Sequence, residues 1–173
     1  FELCENLIKV IIPESVENLE ESWCKDLSYL TNVNLSPKNK NFKYLDDDHK
    51  IILSKSDKNE DIYDVIIFAS RDITKVSIPS YIKQISSDSF SRCKYLELIE
   101  INKDSMLKSI GKRAFFQTAI KNLFIPKHVI EIKKESFMDI NELLTVEFDD
   151  DSEILSIEDF AFCGSSIEKI TIP

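Results

Sequence analysis

Three prolines, Pro79, Pro126 and Pro173, are spaced 47 residues apart, and the residues around them repeat as well. The chain reads Ile78-Pro79-x-x-Ile82-x-x-Ile85-x3-Ser89-Phe90, and later Ile125-Pro126-x-x-Val129-x-x-Ile132-x3-Ser136-Phe137. A second unit lies between them: Leu107-x-x-Ile110-x3-Ala114-Phe115 is answered by Ile154-x-x-Ile157-x3-Ala161-Phe162. A fixed period of this size marks supersecondary units that bury an apolar face only by stacking on their neighbours.

Each unit closes on a hexad of the form apolar-x-x-apolar-x-apolar. Seven hexads begin at Leu7, Leu30, Ile73, Leu96, Ile120, Leu143 and Ile167, with spacings of 23, 43, 23, 24, 23 and 24. Their apolar-x-apolar endings have strand period and are rich in β-branched residues. Each hexad is therefore expected to add one short parallel strand, its alternate side chains turned into the core. Proline, which has no N–H to give a ladder, follows several hexads and ends the strand. The next apolar residues (Pro+3, Pro+6 and the Phe at Pro+11) have near-helical spacing. They predict a short helical or 3₁₀ turn on the opposite side, with each Phe plugging the core.

The pattern Ile-Pro-x-x-Val-x-x-Ile-x3-Ala-Phe-x-x-Cys-x-x-Leu-x-x-Ile-x-Ile resembles the BspA-like, Treponema-pallidum-type leucine-rich repeat. Ile78 to Ile101 carries it best, with Cys93 and Leu96 in place. Thr118, Ile140 and Ser165 stand where Cys is usual, and Glu158 stands where the neighbouring unit has Gly111. The resemblance implies a leucine-rich-repeat solenoid of about seven coils with a parallel sheet on one face. It also implies a cell-surface or extracellular setting and adhesion to host cells, matrix proteins or other microbes.

The chain is expected to form one solenoid, 1–173. It divides into N-terminal repeats 1–35, an irregular repeat 36–72 and a regular array 73–173. The chain opens at Phe1-x-x-Cys4, which matches Phe90-x-x-Cys93, and closes at Ile172-Pro173. Both ends thus read as mid-repeat, as in a segment of a longer protein that carries its membrane anchor elsewhere. In the irregular repeat, Asn41 to Leu45 leads into an acidic turn, Asp46-Asp47-Asp48. Two strand-like runs follow, Lys50 to Ser54 and Asp64 to Phe68, joined by the polar loop Lys55 to Asp61. This predicts an inserted β-hairpin. The family has a similar variant, a Phe-Lys-Tyr-Leu-Asp segment followed by a hairpin. The insertion is either a tolerated excursion or a second binding element.

A net charge of −9 argues against a nucleic-acid or anionic-membrane partner. Catalysis is not legible. His49 and His128 have no Ser or Cys at a recognisable spacing, and two glycines form no phosphate-cradling loop. No enzyme activity and no cofactor are expected. The runs Asp46–Asp48 and Asp149–Asp151 lack the spacing and the glycine of a calcium loop and read as solvated turns. Cys4, Cys24, Cys93 and Cys163 show no metal-ligand spacing and are expected to be buried thiols. Trp23, beside Cys24, stands near the usual Phe position and reads as a displaced core plug. The sequon Asn34-Leu35-Ser36 lies in a strand and precedes Pro37, so its use is not expected.

What remains is a surface. Two columns of hexad residues are predicted to face solvent on the sheet side: Lys75, Leu98, Asn122 and Thr145, and beside them Ser77, Glu100, Phe124 and Glu147. Leu98 and Phe124 would form an apolar centre with a charged rim, the usual composition of a protein interface. The expected function is non-enzymatic binding of a protein or glycan through this face. The alternatives are a self-associating surface coat and an intracellular interaction scaffold.

Overall fold

The computed structural model describes Phe1 and residues 4–172. The first five strands are β1 (Lys9–Ile12), β2 (Asn32–Leu35), β3 (Phe42–Tyr44), β4 (Ile51–Ser54) and β5 (Val65–Ala69). There follow β6 (Lys75–Ile78), β7 (Gln84–Ile85), β8 (Leu98–Ile101), β9 (Ser109–Ile110) and β10 (Asn122–Ile125). The last are β11 (Glu131–Ile132), β12 (Thr145–Phe148), β13 (Ser156–Ile157) and β14 (Lys169–Thr171). Each hexad supplies one strand, so β1, β2, β6, β8, β10, β12 and β14 form one face. Val33, Val76, Ile99, Leu123 and Val146 point inward from it, while the residues between them point out. β1, β6 and β10 stop at the residue before Pro13, Pro79 and Pro126, as an imino acid requires. Pro173 lies outside the described residues.

The hexad face is not one continuous sheet. It is three parallel ladders, β1–β2, β6–β8 and β10–β12–β14. The opposite wall is the continuous one, with the order β13-β11-β9-β7-β5-β4-β3. Its regular strands are two residues long and pair in parallel, Ile85 with Ile110, Ile110 with Ile132 and Ile132 with Ile157.

The predicted helical turns do not form; among the described residues there is no helix, and therefore none long and apolar enough to cross a membrane. The reason is a pair of left-handed residues four positions apart in each turn. These are Ser22 and Asp26, Asp88 and Arg92, Arg113 and Gln117, Glu135 and Asp139, and Phe160 and Gly164. A positive φ breaks a right-handed helix wherever it occurs. In the turns of Phe90, Phe115 and Phe137 the amide of the plug residue is directed at the next coil. Phe90 N–H donates to Ala114 O (2.8 Å), Phe115 to Ser136 (2.8 Å) and Phe137 to Ala161 (2.7 Å). The rings stack in step with these bonds. Centroid distances are 4.8 Å for Phe90–Phe115, 5.2 Å for Phe115–Phe137 and 5.2 Å for Phe137–Phe162, with interplanar angles of 13° or less.

Cys24, not Trp23, occupies the Phe position of the second coil. It is fully buried, whereas Trp23 is half-buried against Phe68 and donates its indole N–H to Ile67 O at 3.3 Å. Cys93 is buried as expected, and burial pushes its thiol up to about 11. Cys4 and Cys163 are exposed, contrary to expectation. They lie in the first and last coils of the described residues.

The hairpin is integral to the wall. β4 and β5 pair antiparallel, and β5 pairs in parallel with β7 of the regular array. Ile51, Ile52, Leu53 and all of β5 are buried. β5 runs on to Ala69 where a regular coil would turn, and the Phe turn is missing from this coil. Arg71 fills its place. The guanidinium is fully buried and donates to the carbonyls of Leu27 (3.3 Å), Ala69 (3.0 Å), Ser89 (2.8 Å), Cys24 (3.2 Å) and Asp88 (3.3 Å). One side chain thereby supplies hydrogen bonds that main-chain amides supply elsewhere, and it joins the second coil to the fourth.

Two outcomes follow for urea unfolding. Arg71→Met strands several buried carbonyls and lowers stability by on the order of 3 kcal/mol or more. Phe115→Ala, in mid-stack, costs about 3–5 kcal/mol. Phe162→Ala costs distinctly less, because that ring is half-buried at the end of the stack.

Candidate functional site

The two outward columns lie where strand alternation puts them. Lys75 pairs with Leu98 and Ser77 with Glu100 on the β6–β8 ladder; Asn122 pairs with Thr145 and Phe124 with Glu147 on the β10–β12 ladder. All are exposed except Phe124, which is half-buried; Leu98 retains 49% of its surface. The eight residues therefore divide into two quartets on neighbouring ladders. Ala119 N–H donates to Leu96 O (3.1 Å) at the start of the junction, but no regular pairing continues along β8 and β10. Thr145 Oγ1 donates to Asn122 Oδ1 at 2.7 Å, and Lys121 pairs with Glu97 at 2.8 Å on the rim. Beyond β12 the face opens into a depression of about 490 Å³, lined by Thr145, Glu147, Asp149, Asp150, Lys169 and Thr171. Val146 and Phe148 line it too, so charged, hydroxyl and apolar groups meet in it.

The hairpin loop is held from below. Asp64, 1% exposed, accepts Ser56 N–H (2.9 Å), Ser56 Oγ–H (2.8 Å) and Lys83 Nζ (2.9 Å). Burial alone would raise its pKa, but the bonds from Lys83 and Ser56 and the lysine charge outweigh it and hold the carboxyl below its ordinary value. Lys55 reaches Asp61 at 2.9 Å and lies 4.9 Å from the Tyr63 ring centroid.

The acidic turn is tied to both neighbouring hexad strands. Tyr44 Oη donates to Val33 O and accepts from Leu35 N–H (both 2.8 Å), capping the edge of β2 that β6 does not pair. Lys50 Nζ meets Asp72 Oδ2 at 2.6 Å, just before β6. Between these anchors His49 stacks on Tyr44 (4.1 Å), and Asp46 is pushed up to about 6, chiefly by its hydrogen bond with Asp48 and by burial. In the other acidic run, Asp149 Oδ1 accepts Asp151 N–H, and His128 Nδ1 lies 3.0 Å from Glu153 Oε2. Among the described residues no three His, Cys, Asp or Glu side chains converge as metal ligands would.

Asp26 accepts from both Arg92 and Arg113 at 3.0 Å, and Arg113 Nε lies 3.3 Å from Asp88, an ion pair without hydrogen-bond alignment. Burial raises the Asp88 carboxyl despite the charges of Arg113 and Arg71. This cluster clamps coils on either side of the irregular repeat, and the sequence reading did not find it.

The sequence profile of the BspA-type leucine-rich repeat region matches six copies over residues 1–46 and 62–173. The chain belongs to the BspA-type leucine-rich repeat family. The unmatched interval, 47–61, spans the end of the acidic turn, β4 and the hairpin loop Lys55 to Asp61. Among solved structures, this BspA-type chain is similar to a leucine-rich repeat protein from Eubacterium ventriosum. The TM-score is 0.58 at 18% identity, over 95% of this chain and 60% of that one. It is also similar to the pneumococcal vaccine antigen PcpA, with a TM-score of 0.62 at 19% identity, over 84% of this chain and 40% of that one. Those likenesses establish the solenoid. The chain spans about half the length of these relatives, and no curated protein matches it by sequence.

Asp64 gives a pH-dependent outcome. Its folded pKa lies below the unfolded value of about 4, so its stabilisation is present above pH 4 and is lost as pH falls through the folded value. Asp64→Asn makes the acid-side decline of stability shallower and lowers stability at pH 7 by about 1–3 kcal/mol. Urea midpoints between pH 2 and 7 read both effects.

Proposed function

We propose that this chain is a non-enzymatic interaction module of a cell-surface protein, binding a protein or glycan on a host cell, matrix or another microbe through the hexad face. The observation that carries this reading is the presence of exposed Leu98 and half-exposed Phe124 in the outward columns of two neighbouring ladders, where Lys75 pairs with Leu98, Glu147 with Phe124 and Glu100 with Ser77. An apolar centre inside a polar, charged rim has the composition of an interface core. Ser77, Asn122 and Thr145 add hydrogen-bonding groups along the same two columns. Family membership supports the surface setting, and one structural relative, PcpA, is a pneumococcal vaccine antigen. The rigid stack beneath the face supports the reading too, since a preorganised surface loses little entropy on binding.

The test is binding to immobilised matrix proteins and to host cells at physiological salt, beside a Leu98→Glu/Phe124→Glu variant shown by circular dichroism to fold. Saturable binding by the wild type, weakened at least about tenfold in the variant, is the expected result. Undiminished binding by the variant moves the site to the hairpin loop, Lys55 to Asp61, and overturns the sheet-face assignment.

A further inference from the structure

The wall opposite the hexad face carries an apolar stripe of its own. Strand register places β7, β9, β11 and β13 side by side, Ile85 with Ile110, Ile110 with Ile132 and Ile132 with Ile157. The same register runs back through the residues before each strand. Lys108 N–H donates to Lys83 O (2.8 Å), Ile130 to Lys108 (2.9 Å) and Leu155 to Ile130 (2.9 Å). Two outward columns therefore flank the inward row Ile82, Leu107, Val129 and Ile154. One column is Lys83, Lys108, Ile130 and Leu155. The other, two residues earlier in each coil, is Tyr81, Met106, His128 and Glu153.

The apolar members are contiguous. Tyr81 and Met106 are neighbours in one column and Ile130 and Leu155 in the other. Met106 and Ile130 line one depression of about 390 Å³ with Lys108, His128 and Glu153. Each of the four apolar side chains keeps at least 39% of its surface exposed. They form an oblique stripe across four coils, about 14 Å along the axis at the spacing of hydrogen-bonded strands. Lys83 and Lys108 lie on one side of it, His128 and Glu153 on the other. Lys83 is tied to Asp64 (2.9 Å), whereas Lys108 meets no carboxylate among the described residues. Across the stripe His128 Nδ1 lies 3.0 Å from Glu153 Oε2, and that hydrogen bond holds the Glu153 carboxyl below its ordinary value. The stripe thus has a cationic flank and an anionic one.

We propose that this stripe is the contact surface of a homodimer, its occupant a second copy of this chain packed wall to wall. The flanking charges fix how the copies meet. In a face-to-face isologous contact the two-fold axis lies in the interface. Laid along the stripe, it sets apolar side chains on apolar ones and brings the Lys108 flank of each copy onto the Glu153 flank of the other. Laid along the solenoid axis it would put Tyr81 on Lys83, and laid across that axis it would put Lys108 on Ile130. The oblique arrangement is complementary in apolar surface and in charge together, and each charged contact occurs twice. Tyrosine and methionine are also among the side chains enriched in interface cores. This goes beyond the hexad-face reading. The hexad face is on the opposite side of each copy, so the pair presents two such faces outward and gains from bivalency.

The experiment is sedimentation-velocity ultracentrifugation of the whole chain over a concentration series at physiological salt, with each variant checked for folding by circular dichroism. The stripe is small for a protein interface, so a reversible dimer with a Kd of about 10–100 µM is expected. Ile130→Asp weakens it at least about tenfold. Lys108→Glu and Glu153→Lys each weaken it about fivefold, by opposing like charges at two equivalent places, and the Lys108→Glu/Glu153→Lys double variant returns to within about twofold of the wild type. A monomer at every concentration overturns the proposal, as does a dimer that Ile130→Asp leaves intact or that the double variant fails to restore. A dimer lost in Leu98→Glu/Phe124→Glu but kept in Ile130→Asp moves self-association to the hexad face and overturns it as well. A monomer that binds decanoate by calorimetry, and no longer does so as Ile130→Asp, overturns it in favour of a small apolar anion in the depression.

Discussion

Everything in this fold depends on one coil meeting the next at a constant spacing. Three sets of contacts run along the axis and share that spacing: the hexad ladders, the wall of short strands and the stack of phenylalanine rings. The ring separations of 4.8–5.2 Å match the distance between hydrogen-bonded strands, so main-chain bonding and side-chain stacking are satisfied together. Neither would hold alone. Two-residue strands are too short to be stable by themselves, and four rings in a row need a frame to keep them parallel. A coil has little to gain by folding without its neighbours, and stability in such an array is a sum of nearest-neighbour terms.

The irregular repeat shows how the array tolerates a missing part. A coil without its Phe turn lacks the amides that a regular turn directs at the carbonyls of the following coil, here those around Asp88 and Ser89, and unsatisfied buried carbonyls are costly. Arg71 supplies the donors from a single planar group, which a lysine could not match. Tyr44 and Ser70 do the same on the sheet side, placing hydroxyls against Val33, Leu35 and Thr31 where a further strand would have paired. The hexad face is interrupted there, and the acidic turn with His49 is anchored beside the interruption. A departure from the repeat thus produces both a structural plug and the most distinctive local chemistry on the surface.

Much of this was legible because period 2 and a fixed repeat are properties of the apolar residues themselves. All seven hexad strands, the Pro stops and the outward columns that include Leu98 and Phe124 could be read from spacing. The turns could not. Their apolar residues have near-helical spacing, and the left-handed residues that forbid a helix are mostly Asp, Arg, Glu and Gln; Gly164 alone, having no side chain, advertises a positive φ plainly. The hairpin strands were readable, but their place in the wall was not, because burial on both faces arises only when β5 meets β7. Arg71 was invisible for a similar reason. An arginine in a sequence reads as surface, and nothing local says that a turn is missing beside it. Of the surface, the columns followed from alternation.

The central claim is that the irregular repeat is part of the stack and not an appendage to it. Native-state hydrogen exchange of the β4 and β5 amides, measured beside those of β7, β9 and β11, tests this most directly. Continuity predicts that Ile52, Leu53, Ile66 and Ile67 exchange with protection comparable to the regular coils and open in the same cooperative unit. Fast exchange of the hairpin amides while the regular coils stay protected would contradict it, and would return residues 36–72 to the status of an excursion from an array that is complete without them.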